Sequence, residues 1–215
     1  MPPRRKRGHG TEADAAKLVK RKRDPDANVL DSPSRSPSSQ VKHVALLRGI
    51  NVGTAKQVPM AKLTLCFEQL GYHNVKTVLR SGNVVFEGNA TLAPDAAACV
   101  EAAVKKATGV QSSVLLINGA RFTAIADANP LLDVATDGSK SFVSFVDGDI
   151  PRDLEVPDPS DLAPEVLHVV ADAIYQWMPA GFLKTAVPKS FWKQFDSPVT
   201  ARNWNTVNKI LALLQ

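Results

Sequence analysis

NVKTVLRSGNVVFEG, residues 74–88, is the stretch on which the fold turns: two runs rich in β formers, interrupted by Ser81, Gly82 and Asn83. Glycine supplies the backbone conformation that a short turn demands and Asn tolerates it, so the stretch reads as a tight hairpin. Upstream, HVALLRG (43–49) is a short apolar run that ends in Arg48 and Gly49 and reads as a strand, followed by the loop INVGTAKQ (50–57). VPMAKLTLCFEQLG (58–71) reads as a helix, with Pro59 in the first turn, Met60, Leu63, Phe67 and Leu70 at helical spacing, and Gly71 as the C-terminal stop. Downstream, APDAAACVEAAVKKATG (93–109) is an Ala-rich helix between Pro94 and Gly109, and SSVLLIN (112–118) is a strand.

The order β-α-β-β-α-β over 42–118 is that of the ferredoxin-like split βαβ arrangement. In such a sheet the first and second strands run in the same direction. The loop RGINVG and the turn RSGN should therefore emerge side by side at one end. Past residue 118 the pattern repeats more weakly: a short helix in GARFTAIADANP, a strand in SFVSFVDGD, and two strands in EVLHVVADAIYQWMP joined near 171–173. PRDLEVPDPSDLAP is either a poor helix or a loop, and KSFWKQF and ARNWNTVNKILALLQ supply closing helices. The expected class is α+β: two ferredoxin-like (α/β plait) units packed together, 42–118 and a smaller one over 119–215, preceded by a disordered basic tail over 1–41.

Charge is divided unevenly. The 215-residue chain carries a net +5, but residues 1–42 hold eleven Lys and Arg against five acids, which leaves the rest at −1. The high isoelectric point is thus no argument that the folded part binds nucleic acid. The tail combines RRKR and KRKR with the Pro and Ser stretch DSPSRSPSSQ, and it lacks the apolar periodicity that would offset the entropy of ordering. It reads either as a nuclear-localisation or polyanion-binding segment, through which nucleic acid would be reached, or as a solvated extension or misassigned translation start.

Cys66 and Cys99 lie in helical segments without CxxC or His neighbours and read as ordinary buried thiols. His9, His43, His73 and His168 are scattered, so no metal is expected, and no cofactor is implied. No apolar run reaches the roughly 20 residues of a membrane helix and the N-terminus lacks a signal-peptide core, so a cytoplasmic protein is expected.

Three polar islands are not explained by secondary structure alone. In TARNWNTV (200–207), Asn203, Asn205 and Thr206 are mediocre helix formers placed in what reads as the first turn of the last helix, with Thr200 as N-cap. Trp204, Val207, Ile210, Leu211 and Leu214 would form the apolar face, and Arg202, Asn205, Thr206 and Lys209 the polar one. Asn203 falls on the apolar side, where an amide must be paired, so a structural hydrogen bond is its reading. The whole motif either locks the two halves together or turns Arg202, Asn205 and Lys209 to a ligand.

The loop with Arg48, Gly49, Asn51 and Gly53 can cradle a phosphate or can simply be a strained turn whose arginine pairs with a carboxylate. It matches neither a P-loop nor a dinucleotide fingerprint. In the turn of Arg80, Ser81, Gly82 and Asn83, geometry alone explains Gly82 and Asn83, and Arg80 is unexplained. Phe182, Phe191, Trp192 and Phe195 read as core rather than as a base-stacking platform, with Lys184, Lys189 and Lys193 as a modest basic rim. No acid pair, Ser-His-Asp or Cys-His set can be assembled, so no catalytic base is named.

Taken together, ALLRGINVG, VPMAKL, LGYHNVKTVLRSGNVVF and TARNWNTVNKILALL resemble the predominantly bacterial family known as domain of unknown function 1697, over about 42–215. The resemblance implies two ferredoxin-like units and carries over no reaction or cofactor. Its signature positions here are Arg48, Gly49, Asn51, Val52, Gly53, Ser81, Gly82, Asn83, Thr200, Arg202, Asn203, Trp204 and Asn205. Thr54 stands where members often carry glycine and Arg80 where they often carry Gln, which makes the local site more cationic.

The functional expectation is binding of a small anionic ligand, such as a nucleotide or phosphate compound, at the polar end of the first sheet. Its candidate residues are Arg48, Gly49, Asn51, Gly53, Arg80, Ser81, Asn83, Arg202 and Asn205, with Thr200, Asn203 and Trp204 structural. The alternatives are an enzyme of unassigned class using the same pocket, and nucleic-acid binding through residues 1–41.

Overall fold

The computed structural model describes residues 40–53, 56–170 and 173–215. The readings of the basic tail, apart from its last two residues, of Thr54, and of the junction at 171–172 lie outside these residues. The first strand, β1 (Gln40–Leu47), begins three residues before the HVALLRG run that reads as strand. It is followed by α1 (Met60–Gln69), β2 (His73–Val78), β3 (Asn83–Asn89), α2 (Ala96–Thr108) and β4 (Val114–Asn118), the order read from the sequence. The four strands form one sheet in the order β2-β3-β1-β4, and every pairing is antiparallel.

The second half repeats that plan. After α3 (Gly119–Asp127) come β5 (Ser141–Val146), α4 (Pro159–Leu162), β6 (Val166–Val170), β7 (Ala173–Trp177), α5 (Lys189–Trp192), β8 (Val199–Asn203) and α6 (Trp204–Leu214). The sheet order β6-β7-β5-β8 has the same relation to chain order as in the first sheet, again with antiparallel pairs. The fold is mixed α+β with two four-stranded antiparallel sheets.

Period-two side-chain alternation divides the core into three apolar layers. Val44 and Leu46 of β1 face inward with Val143 and Phe145 of β5, and between the sheets lie Phe122 and Ile125 of α3 and Val207 and Ile210 of α6. Ala45 and Leu47 face the other way, against Leu63 and Phe67 of α1 and Val100 and Val104 of α2. The outer face of the second sheet has a thinner cover: Ile174 and Val146 meet Leu162, Val187 and Phe191. Burying a large aliphatic or aromatic side chain contributes roughly 1.5–3 kcal/mol, so the first two layers carry most of the stability.

The asymmetry comes from the crossover between β7 and β8. Where the first half has the 13-residue α2, the second has only a 3-10 turn at Phe182–Lys184 and the four-residue α5. Pro179, Gly181, Pro188 and Pro198 break this crossover, and a ring without an N–H cannot continue a helix. Part of the outer face of the second sheet is consequently left without a helix over it.

The last helix starts later than its polar residues suggest. Val199–Asn203 pairs with Val146–Phe142 of β5 as a strand, so Thr200, Ala201 and Arg202 are not helical. Asn203 is the cap: its Oδ1 accepts from the Thr206 N–H at 3.0 Å and from the Thr206 hydroxyl at 2.7 Å. The cap reading for Thr200 is corrected on this point: Thr200–Asn203, the first half of the stretch, is strand, whereas Asn205 and Thr206 do lie in the first turn of α6. The doubtful 151–164 segment holds a single turn, α4, capped by Asp158, whose side chain accepts from the Ser160 N–H at 2.8 Å.

Only one of the two thiols is buried. Cys66 is 2% exposed, and burial raises its pKa, whereas Cys99 is exposed on α2. Titration of the native protein with a thiol-specific disulfide reagent is expected to modify one cysteine quickly and the second only after denaturant is added. Two fast thiols would contradict the packing of α1. Among the described residues no group of His, Cys, Asp or Glu is arranged to hold a metal ion, and no helix is long and apolar enough to cross a membrane.

Candidate ligand-binding cleft

The two islands of the first sheet do meet. Leu47 donates its N–H to the Gly82 carbonyl at 2.7 Å, which ties the end of β1 to the turn between β2 and β3. Asn51 is the hub of the loop: its Nδ2 donates to the carbonyls of Arg80 at 2.7 Å and Val58 at 3.1 Å, and its Oδ1 accepts from the Val58 N–H at 2.7 Å. Both ends of the Asn51 amide are occupied, so its work is to staple the loop to the turn. Asn83, fully buried, is likewise internal, donating to the Val78 carbonyl at 2.9 Å and the Ser81 hydroxyl at 3.1 Å.

Arg202 joins the halves. From β8 it crosses to the first sheet, where its Nε donates to Asn83 Oδ1 and its Nη2 to the Leu47 carbonyl at 2.7 Å and, more weakly, to the Gly82 carbonyl at 3.5 Å. Its Nη1 donates to the Ala201 carbonyl at 2.8 Å. Every partner is a neutral oxygen. With no carboxylate beside it among the described residues, desolvation pushes its pKa down to about 10, which leaves it charged at neutral pH.

Beside this clamp lies a cleft of about 880 Å³. One wall is the loop of the first sheet, with Arg48, Gly49, Ile50, Val52 and Ser81; the other is the sparsely covered face of the second sheet, with Phe142, Ser144 and Gln176. The broken crossover closes it with Phe182, Trp192, Phe195 and Lys189, and Phe142 and Phe182 stack with centroids 5.4 Å apart. Arg48 is exposed; its backbone N–H donates to the Ser113 carbonyl at 2.9 Å, but its guanidinium makes no hydrogen bond or ion pair among the described residues. Two cations, Arg48 and Lys189, one carboxylate, Asp196, and several half-open aromatic rings thus share one concavity with Arg202.

The candidate residues therefore divide. Arg48, Gly49, Ser81 and Arg202 line the cleft; Gly53, Arg80 and Asn205 do not. Arg80 points its Nη2 at Gln57 Oε1, 3.3 Å away, and Asn205 sits against Gly138, donating its N–H to that carbonyl at 3.3 Å. The aromatic reading divides too: Phe191 is core at 1% exposure, while Phe182 is 56% exposed at the cleft. Sequence reasoning missed Gln176, Thr185 and Glu165 altogether. Gln176 and Thr185 border the cleft and bond to Glu165, a nearly buried carboxylate behind them. The one signal was a polar Gln inside the otherwise apolar strand AIYQW.

A family model described as a protein of unknown function (DUF1697) matches residues 41–175. The chain belongs to this family. The matched part of the DUF1697 chain covers the first sheet from Val41, β5, β6 and the first three residues of β7, and the 200–205 motif lies beyond it. Among solved structures, the conserved bacterial protein SP0830 from Streptococcus pneumoniae is similar at 24% identity, with a TM-score of 0.61 over 82% of this chain and 100% of that one. That likeness concerns the fold alone. No curated protein matches the DUF1697 chain.

Proposed function

We propose that this protein binds a small anionic ligand carrying a flat ring, of the nucleotide class, in the cleft between the Arg48 loop and the second sheet. The observation that carries the reading is the company of Arg48, an exposed cation without a partner among the described residues, with Phe142, Phe182 and Trp192 in a concavity of about 880 Å³. That volume lies within the range of roughly 300–1,000 Å³ that small-molecule sites occupy. Arg48 and Lys189 supply charge for a phosphate, and the rings supply faces for stacking. The nearby guanidinium of Arg202, balanced only by neutral oxygens, adds positive potential to the same space.

The same reading takes each sheet with its helices as a ferredoxin-like unit, 42–118 and 119–215, in a cytoplasmic protein; the matching strand orders support the repeat. The site is then a product of the repeat: the first unit lends its loop end, and the second lends the sheet face that its shortened crossover leaves open.

Thermal-shift and calorimetric titration with nucleoside monophosphates, pyrophosphate and inorganic phosphate test it. A ligand at 100 times its Kd raises stability by about 2.7 kcal/mol. Arg48→Ala is expected to weaken the bound nucleotide about 10- to 100-fold, because a charge-assisted hydrogen bond contributes roughly 1.5–3 kcal/mol. No stabilisation by any of these at millimolar concentration, or binding untouched by Arg48→Ala, would remove the proposal.

A further inference from the structure

We infer that Gln176 selects the ring of the ligand, presenting its amide oxygen to the cleft as a fixed acceptor, so that the ligand is an amino-bearing heteroaromatic phosphate; this rests on the ligand reading above. The inference starts from Glu165, 8% exposed, just before β6. A carboxylate can only accept hydrogen bonds. Its Oε1 receives the Thr185 hydroxyl at 2.7 Å and the Gln176 amide, and its Oε2 receives the Ala186 N–H at 2.7 Å.

The direction of every other bond follows. Thr185 has one hydroxyl proton and gives it to Glu165, so toward Gln176 its oxygen accepts, from Nε2 at 3.0 Å, and it accepts again from the Val187 N–H at 3.2 Å. Both amide hydrogens of Gln176 are thereby committed, and the side chain cannot turn over without facing its oxygen to the carboxylate. The amide oxygen of Gln176 is left with no donor among the described residues, and it is not among their buried polar atoms closed off from solvent. Gln176 is 4% exposed, and the space it borders is the cleft, where its cross-strand neighbour on β5 is Phe142. A ring lying at Phe142 meets a hydrogen-bond acceptor of fixed polarity, and a ring edge with an exocyclic amine satisfies it. A ring without a donor leaves that oxygen desolvated and unpaired, which is the circumstance in which a binding site discriminates most strongly.

The test is calorimetric titration of the full chain with two matched pairs: adenosine 5′-monophosphate against purine riboside 5′-monophosphate, and cytidine 5′-monophosphate against its analogue without the 4-amino group. In the pair that binds, the aminated member is expected to bind at least tenfold tighter, and Glu165→Gln, which can donate and so lets Gln176 turn over, is expected to reduce that preference to under threefold. Equal affinity within the pair overturns the role of Gln176 and leaves the ligand cleft standing; binding of none of the four overturns both. A measurement on the unaltered protein guards against a variant that fails to fold: the side-chain amide protons of Gln176 should exchange with water far more slowly than those of an exposed glutamine in nuclear magnetic resonance spectra. Exchange as fast as an exposed amide would also overturn the assignment.

Discussion

Arg202→Met is expected to lower the unfolding free energy by about 2–4 kcal/mol, because it takes the donor away from several neutral acceptors at a partly buried joint. Methionine refills much of the aliphatic volume, so the loss isolates the guanidinium. Two effects oppose each other here. Burying a cation against neutral oxygens is costly, as its depressed pKa of about 10 records. The substitution removes that cost, but it strands Asn83 Oδ1 and the carbonyls of Leu47 and Ala201, each of which has a close bond to this side chain. An unsatisfied buried acceptor costs roughly 1–3 kcal/mol, so the stranded oxygens outweigh the relieved charge. Arg202→Lys should fall between, because an ammonium keeps the charge and loses the planar fork that reaches several acceptors at once. Denaturant unfolding monitored by tryptophan fluorescence reads both variants. A loss under about 1 kcal/mol for Arg202→Met would mean that the joint between the sheets is held by apolar packing alone.

Gly82→Ala is expected to cost nearly as much, by steric means. Gly82 has φ +81°, and a Cβ there would stand 2.8 Å from Leu47 Cβ and 2.9 Å from Ile50 Cδ1. The left-handed backbone alone costs an L-residue about 1–2 kcal/mol. Forcing a methyl into a filled site adds typically about 1–3 kcal/mol, and neither the Leu47 Cβ nor the loop stapled by Asn51 can yield easily. Gly49→Ala is the control: it has φ +70° with open space around the new Cβ, so only the backbone contribution remains. If the two variants lose equal stability, the close approach of the turn to β1 is not what fixes glycine at position 82.

The first sheet was legible because its signals are local. A Gly-Asn hairpin, helices bounded by Pro59 and Gly71 and by Pro94 and Gly109, and a β-α-β-β-α-β order leave few topologies. The C-terminal motif misled because Thr200 to Arg202 is polar in the manner of a frayed helix, and what decides its state is a ladder with β5, more than fifty residues away in sequence. Partners at that separation leave no periodicity to read. The cleft was half legible. Arg48 and Arg202 stood among the ligand candidates, but Arg80, the charge that the turn left unexplained, does not line the cleft, and the purely internal work of Asn51 and Asn83 could not be told from ligand binding until their acceptors were known. Glu165, Gln176 and Thr185 come from three separate segments and carry no spacing that a reader of the chain would notice.

Lys42, near the start of β1, donates its ammonium to the backbone oxygen of Gln215, and Gly119 lets α6 come so near that a methyl there would meet Leu214 at 3.1 Å. The start of β1 and the end of α6 are thus neighbours. Leu47, where the cleft begins, lies at the opposite end of β1, five residues on from Lys42 and roughly 17 Å away at about 3.3 Å per residue. An anchor, a reporter domain or a surface linkage attached through Gln215 therefore holds the molecule by its back and leaves the mouth of the cleft facing free solution.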